Sequence, residues 1–80
     1  MNIKIKVGQR IKALREKEGM SQKDLAYAAD LDRSYIASIE NGLRNVSILN
    51  IEKICIALGV TLKEFFDHQI FEDSKPKTHK

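Results

Sequence analysis

The chain has 80 residues, enough for one domain, and a chain of this length buries only about 60% of its unfolded surface, so its core must be thin. Its single cysteine excludes an intramolecular disulfide, and the absence of any run of about 18 apolar residues argues against a membrane-spanning helix. The net charge is +3, and residues 1–45 carry nine Lys and Arg against six Asp and Glu, which permits a nucleic-acid partner.

A glycine separates the first two predicted helices. From Val7 onward, apolar residues recur at the i, i+4 and i+7 spacing of one helix face, and Gly19 supplies the left-handed residue that ends the helix. Ser21 opens the second helix, with Asp24 three residues later as its partner in a capping box. The lysines at positions 4, 6, 12 and 17 of the first helix are expected to form a solvated face.

Three more helices and a polar tail are predicted after the second helix. The third runs from about Arg33 to Glu40, with Asp32 as its N-cap and Asn41-Gly42 at its end. Ser47 caps a fourth helix, ILNIEKICIAL, in which Cys55 is expected to be a small buried hydrophobe and which Gly59 closes. Thr61 and Glu64 form the capping box of a short fifth helix. The tail, residues 68–80, has no periodicity and is expected to fray, at least from Ser74 onward.

The outward face of the third helix is unusual because its side chains are short and polar. At 100° per residue, Ile36 and Ile39 point towards the core, whereas Arg33, Ser34 and Ser38 point away from it. Short side chains allow a close approach to another surface, and their hydroxyl groups can bond to bases or phosphates. An arginine at the start of such a helix can reach O6 and N7 of a guanine. The face is therefore predicted to enter a DNA major groove.

The spacing between the second and third helices indicates a helix-turn-helix. Counting from Gln22, a small residue, Ala26, falls at the fifth position, where two helices cross, and Ile36 and Ile39 fall at the fifteenth and eighteenth. The ninth position takes a left-handed backbone and usually holds glycine. Here it holds Asp30, a residue type that tolerates that conformation better than most.

The stretch MSQKDLAYAADLDRSYIASIENGLRNVSILNIEKICIALGVTLKEFF resembles the phage-repressor-like (Xre/Cro-C1) family of DNA-binding domains. Within it, LDRSYIASIENGLRNVSILNIEKIC is most similar to the controller proteins of restriction–modification systems. The resemblance covers about residues 5–67. It implies an all-α, compact five-helix, lambda-repressor-like domain over residues 1–67, with the helix-turn-helix at about 21–41 and dimerisation helices at about 47–67.

The same resemblance implies roles for individual residues. Base-edge contacts fall to Arg33, Ser34 and Tyr35, with Ser38 as a weaker fourth. Contacts with the DNA backbone fall to Gln22, Lys23, Asn41, Arg44 and Asn45, and Gln22 would also brace the recognition helix. Plainer interpretations stand beside these: Arg33 could pair with Asp30 or Asp32, Tyr35 could be a packing residue, and Gln22 and Arg44 could be ordinary surface residues. No cofactor and no metal is implied.

The fourth helix carries more apolar surface than one small core needs. Its core-facing arc is predicted to include Ile48, Ile51, Ile54, Cys55 and Leu58, while Leu49 and Ile56 form a second patch. Such an excess usually marks an interface, so a homodimer is predicted. Its interface residues would be Leu49, Ile56, Val60, Phe65 and Phe66. In the alternative, the first and fifth helices cover both patches.

The predicted function is therefore sequence-specific binding of duplex DNA by a dimeric regulator. A two-fold dimer predicts a pseudo-palindromic operator, on which two dimers could sit side by side, with RNA polymerase as a further candidate partner. The chain lacks the motifs of an enzyme site, and five aromatic residues are too few for a stacking platform on single strands. Without a signal peptide, it is expected in the bacterial cytoplasm, at the nucleoid. The alternatives are an ordinary repressor or antitoxin of the same fold, and a module for protein contacts only.

Overall fold

The structure, a computed structural model, describes residues 2–74, and every regular element in that range is helical. The elements are α1 (Ile3–Lys17), α2 (Gln22–Ala29), α3 (Arg33–Glu40), α4 (Ile48–Leu58), α5 (Leu62–Phe66) and a C-terminal 3₁₀ helix (Gln69–Ser74). None of these helices has the length and apolar character needed to cross a bilayer. The prediction of an all-α, five-helix domain is confirmed, and the 3₁₀ helix is an addition to it.

Side-chain caps start four of the five α-helices. Ser21 and Asp24 form the predicted capping box of α2, and Thr61 and Glu64 form that of α5. The side chains of Asn2 and Ser47 accept hydrogen bonds at the starts of α1 and α4. At α3, Asp32 occupies the predicted N-cap position with an extended backbone, although its side chain makes no capping hydrogen bond.

The ends of α1 to α4 share one hydrogen-bond pattern, the Schellman motif. In α3, for example, the N–H of Gly42 donates to the carbonyl of Ile39 and the N–H of Leu43 donates to that of Ser38. At α2 the left-handed position is held by Asp30, with φ 56° and ψ 49°. Asp30 thus adopts the strained turn that the helix-turn-helix spacing requires, as predicted.

The core gathers one face of each of the five α-helices. Its buried apolar members are Val7, Ile11, Leu14, Leu25, Ala26, Ala29, Ile36, Ile39, Ile51, Ile54, Cys55, Leu58 and Phe65. Two predictions fail here. Ile48 was placed in the core-facing arc of α4 but is 66% exposed, since it begins the helix beyond the edge of the core. Lys6 was placed on a solvated face but is buried.

The close crossing of α1 and α3 depends on Gly8. A Cβ atom at this position would meet the carbonyl oxygen of Ile39 directly and would lie 3.1 Å from Cα of Glu40. Only glycine therefore allows the two helix backbones to approach this closely. This contact fixes the depth at which α3 sits on α1, and hence how far its outer face projects.

The first part of the predicted tail is ordered by an aromatic cluster. Phe71, in the 3₁₀ helix, packs against the core, with its ring centroid 6.2 Å from that of Phe65 and 5.1 Å from that of Phe66. The tail, residues 68–80, is expected from the sequence to fray, at least from Ser74 onward, and the structure differs in placing a 3₁₀ helix at Gln69–Ser74. The segment contains an apolar pair, Ile70 and Phe71, among polar residues, and Phe71 packs against the core. Residues 75–80 lie outside the described residues.

Candidate nucleic-acid interface

The outer face of α3 has the low, polar profile that the sequence predicts. Arg33 and Ser34 are exposed at its N-terminal end, Ser38 is half-buried and Ile36 is buried beneath them. Within residues 2–74, no ion pair joins Arg33 to Asp30 or Asp32. The guanidinium of Arg33 is therefore available to an external acceptor, which disfavours the plainer interpretation of this residue.

An open concavity lies beside this face. It is lined by Asp30, Leu31, Asp32, Ser34, Tyr35, Ser38, Arg44 and Asn50. Three of the predicted base readers thus share one surface with Arg44, which comes from the loop after α3. Arg33 stands outside this lining, at the exposed start of the helix.

Tyr35 joins the recognition helix to the elements that follow it. Its hydroxyl accepts a hydrogen bond from Nδ2 of Asn50 at 3.0 Å, and the guanidinium carbon of Arg44 lies 4.9 Å from its ring centroid. The cation–π contact orients Arg44, and the hydroxyl retains its own proton for donation. Tyr35 is therefore a packing residue that can also present its hydroxyl towards the concavity.

Asn50 is the residue of this surface that sequence reasoning missed. It lies in the otherwise mainly apolar fourth helix, where asparagine has a poor helix propensity and gains nothing from burial without a partner. An isolated amide in such a helix is a signal that it bonds to a neighbouring element. Helical periodicity in this segment shows the direction of the apolar residues and gives no partner for the amide.

Ser38 has limited freedom to contact a base. Its hydroxyl donates to the carbonyl of Tyr35 at 2.9 Å, three residues earlier in the same helix. The oxygen can still accept hydrogen bonds, but its proton is already donated to Tyr35. Ser38 is accordingly the weakest of the four predicted base readers.

A buried ionic cluster fixes the C-terminal end of α3. Arg15 of α1 donates to both carboxylate oxygens of Glu40, at 2.7 and 2.9 Å, and to the carbonyl of Met20 at 2.7 Å. Gln22, the first residue of α2, donates from Nε2 to the same carboxylate at 3.0 Å. The hydrogen bond to Glu40 raises the pKa of the Arg15 guanidinium. Three helices thus meet at one carboxylate, and Gln22 braces α3 as predicted.

The predicted backbone-contact residues lie at the edges of this surface. Lys23 is exposed in the first turn of α2, Asn41 is exposed at the end of α3, and Arg44 and Asn45 are exposed in the following loop. Gly42 anchors that loop, because its φ is +75° and a Cβ atom there would lie 2.7 Å from Cγ1 of Ile5. The loop geometry therefore depends on glycine twice, through its backbone conformation and through its contact with α1.

The predicted dimer residues divide into exposed and buried groups. Leu49 and Ile56 on α4 are 61% and 73% exposed, so α1 and α5 do not cover this patch. Phe66 is also exposed, whereas Val60 is half-buried against the core. Phe65 is fully buried and cannot contact a partner, which corrects its assignment. Its ring is the aromatic that α5 contributes to the core.

Comparison with known proteins identifies the family. The helix-turn-helix family model matches residues 11–65. Control protein C.MunI from Mycoplasma sp. is 54% identical over 66 residues, which are 81% of this chain and 89% of that protein. Control protein C.BamHI from Bacillus amyloliquefaciens is 51% identical over 67 residues, 82% of this chain and 83% of that protein. The chain is a helix-turn-helix protein of the controller family.

A solved structure supports the same assignment at the level of the fold. The restriction–modification controller protein C.Esp1396I, solved as a tetramer in complex with its natural 35 base-pair operator, superposes on this controller-family chain with a TM-score of 0.81. Sequence identity is 38%, and the match covers 91% of this chain and 96% of that one. The resemblance noted in the sequence is confirmed.

Proposed function

We propose that this protein is a homodimeric controller of a restriction–modification system, which binds a specific duplex operator upstream of its own gene. The observation that carries the proposal is the outer face of α3, where Arg33 and Ser34 are exposed and where Ser34 and Arg44 line one concavity. A relative that matches most of the chain was solved on its operator, which supports DNA as the ligand of this face.

The base-reading roles follow from the chemistry of the side chains. Arg33 presents a free guanidinium fork that can bond to O6 and N7 of one guanine, a contact worth about 1–3 kcal/mol of discrimination. Ser34 can donate to or accept from a neighbouring base. Tyr35 keeps a hydroxyl proton for donation because its oxygen only accepts from Asn50. Ser38 can contribute only as an acceptor, because its hydroxyl proton is donated to the carbonyl of Tyr35.

The backbone contacts would set the depth and register of α3 in the groove. Gln22 uses one amide N–H to brace Glu40, and its second N–H remains for a phosphate. Lys23 and Asn41 flank the two ends of the helix-turn-helix, and Arg44 and Asn45 would clamp the backbone from the loop. These contacts add affinity without adding sequence preference.

Regulation of transcription would depend on how many subunits bind the operator together. A two-fold dimer would place two recognition helices about 34 Å apart, one turn of DNA, and so read a pseudo-palindrome. Two dimers on adjacent sites, as in a tetramer, would let low occupancy activate transcription through contact with RNA polymerase and high occupancy repress it. Such a protein acts at the nucleoid, in the bacterial cytoplasm.

Fluorescence anisotropy on duplex DNA tests this function. The upstream DNA of the gene and a scrambled duplex are each titrated at two salt concentrations with the wild type, Arg33→Ala and Arg33→Lys, and with Arg44→Ala as a matched loss of one arginine. We expect the wild type to prefer upstream DNA by orders of magnitude and to weaken with salt. Arg33→Ala should lose most of the preference, and Arg33→Lys should retain the salt slope without the preference.

The Arg44→Ala variant separates clamping from reading. It should weaken binding to both duplexes and lower the salt slope by about one, and most of the preference should remain, because the substitution removes a contact with Tyr35 but leaves Arg33 in place. Equal, weak binding of the wild type to both duplexes would contradict an operator at this site. An Arg33→Ala variant with unchanged preference would show that residues other than Arg33 read the operator.

A further inference from the structure

An apolar groove lies where the start of α1, the loop that follows α3, α4 and α5 come together, and it shares Arg44 with the concavity beside α3. Its volume is about 170 Å³, and its apolar lining comes from Ile3, Val7, Val46, Ile51 and Phe66. The charged side chains that line it, Lys4 and Arg44, are both cationic. Ile3 is 57% exposed, so part of this apolar surface faces solvent in the single chain. An apolar groove with cationic borders fits an apolar segment that carries an acid.

The exposed patch on α4 combines apolar side chains, Ile48, Leu49 and Ile56, with one acid, Glu52. Glu52 is exposed, and the residues three and four positions away from it along the helix are Ile48, Leu49, Cys55 and Ile56. Helix neighbours at these spacings are the ones that could pair with its charge, and none of them is polar. Among the described residues, no cation forms an ion pair with Glu52. The Glu52 carboxylate within this apolar patch could therefore form an ion pair with a cation of another molecule.

We propose that a second copy of this chain fills the groove. The α4 patch of one subunit, centred on Glu52, would pack into the groove of its partner and set the carboxylate beside Lys4. A two-fold axis repeats the contact, because the partner then offers its own patch to the first groove. Phe66 of α5 lines the groove and is itself 38% exposed, so a partner in the groove would also cover this ring. This inference rests on the homodimer of the proposed function and specifies its surface.

Arg44 gives the contact a consequence for DNA binding. This one side chain lines both the apolar groove and the concavity that holds the predicted base readers. A partner seated in the groove would restrict Arg44 and, through the cation–π contact, would hold Tyr35. Dimer formation would then order Arg44 and Tyr35 before the protein binds its operator. Loss of the contact between the α4 patch and the groove would weaken operator binding.

A charge swap tests the contact. Sedimentation velocity across a concentration series gives the dimer dissociation constant of the wild type, Glu52→Lys, Lys4→Glu and the combined variant, with Lys53→Glu as a matched reversal on the same helix. Each single reversal should raise the constant about tenfold or more, because like charges would then face each other across the interface. The combined variant should return to within about threefold of the wild type, and Lys53→Glu should stay there throughout. Operator affinity should fall and recover in the same order.

The other outcomes separate this inference from the proposed function. A wild-type dimer that tolerates both single reversals, or a combined variant as weak as the single ones, would overturn the groove contact and leave the dimer in place. A wild type that remains monomeric would overturn the dimer and the groove together, while the anisotropy experiment would still test DNA reading. Circular dichroism melts confirm that each variant is folded.

Discussion

Replacing Arg15 with leucine tests how strongly the recognition helix is held. The Glu40 side chain is only 2% exposed and that of Arg15 only 10%, so water screens their interaction poorly. Removing the guanidinium deletes two of the three hydrogen bonds that the carboxylate accepts in this cluster and leaves it with the neutral amide of Gln22. The carbonyl of Met20 also loses a donor. A buried charge is then almost unpaired.

The expected cost is about 3–5 kcal/mol, the usual effect of breaking a buried pair from one side. Because small domains have total stabilities of only about 5–15 kcal/mol, the variant should be close to unfolding at 25 °C. The double variant, Arg15→Leu with Glu40→Leu, removes the stranded charge as well. It should therefore be more stable than the single variant, by roughly 2 kcal/mol, since apolar side chains can replace such a pair with little loss.

Urea denaturation followed by far-UV circular dichroism, at one protein concentration, measures both free energies of unfolding. Arg10→Leu is a useful comparison, because within residues 2–74 Arg10 donates to neutral groups, the carbonyls of Glu64 and Phe65, at 2.9 and 2.7 Å. Its loss should cost about 1–3 kcal/mol. A cost below about 1 kcal/mol for Arg15→Leu, or costs that simply add in the double variant, would refute the reasoning and make the cluster an ordinary surface ion pair.

Three further variants test the fold around the site. Gly8→Ala should destabilise the domain by about 1–3 kcal/mol in urea denaturation despite the better helix propensity of alanine, because the new methyl group meets the backbone of Ile39. Asp30→Gly should raise the free energy of unfolding by roughly 0.5–1 kcal/mol, since glycine takes the left-handed turn without strain. Asp24→Ala should lower the melting temperature at neutral pH but not in acid. Hydrogen bonds from Ser21 lower the pKa of Asp24 in the folded protein. The stability that the Asp24 carboxylate adds is therefore present above the unfolded pKa of about 4 and disappears as the pH falls through the lower, folded value.

Each of these three predictions would be contradicted by a specific result. A neutral or stabilising Gly8→Ala would mean that α1 and α3 can separate without cost. An Asp30→Gly variant less stable than the wild type would show that the aspartate contributes a favourable interaction that outweighs its backbone strain. A difference in melting temperature between the wild type and Asp24→Ala that stays constant from pH 7 to about pH 2 would show that the carboxylate charge is not what stabilises the helix start.

Local signals in the sequence predicted most of the fold because each acts within a few residues. The capping boxes at Ser21 and Thr61 and the glycine stops at Gly19 and Gly59 depend only on neighbouring backbone groups. The outward face of α3 followed from helical periodicity alone. Even the strained turn at Asp30 was predictable, because the helix-turn-helix spacing requires a left-handed residue there.

Features that depend on contacts between distant segments escaped prediction. Nothing near Gly8 in the sequence shows that the α3 backbone crosses it, and Arg15 and Glu40 are 25 positions apart. Periodicity also gives the direction of a side chain but not the extent of the core, so Ile48 was wrongly placed inside it. Phe71 shows the converse error, in which one apolar side chain in a polar segment found a place on the core.

The functional residues were predicted by position in a motif, and their partners were not. Arg33 and Ser34 lie where the helix-turn-helix spacing puts them, exposed at the start of α3. The hydrogen bond from Asn50 to Tyr35 and the stacking of Arg44 on its ring need the three-dimensional arrangement of α3, the loop and α4. Sequence reasoning thus identified the reading face, while the structure revealed how that face is held.

The most direct test of the central claim, that Arg33 reads a guanine, is the loss of operator affinity when single guanines are replaced by 7-deazaguanine. We predict one position in each half-site where the wild type loses about 1–3 kcal/mol of binding free energy and Arg33→Ala loses almost nothing, because its contact with N7 is already gone. Equal sensitivity of the two proteins at every guanine would contradict the claim and would assign sequence reading to another part of the surface.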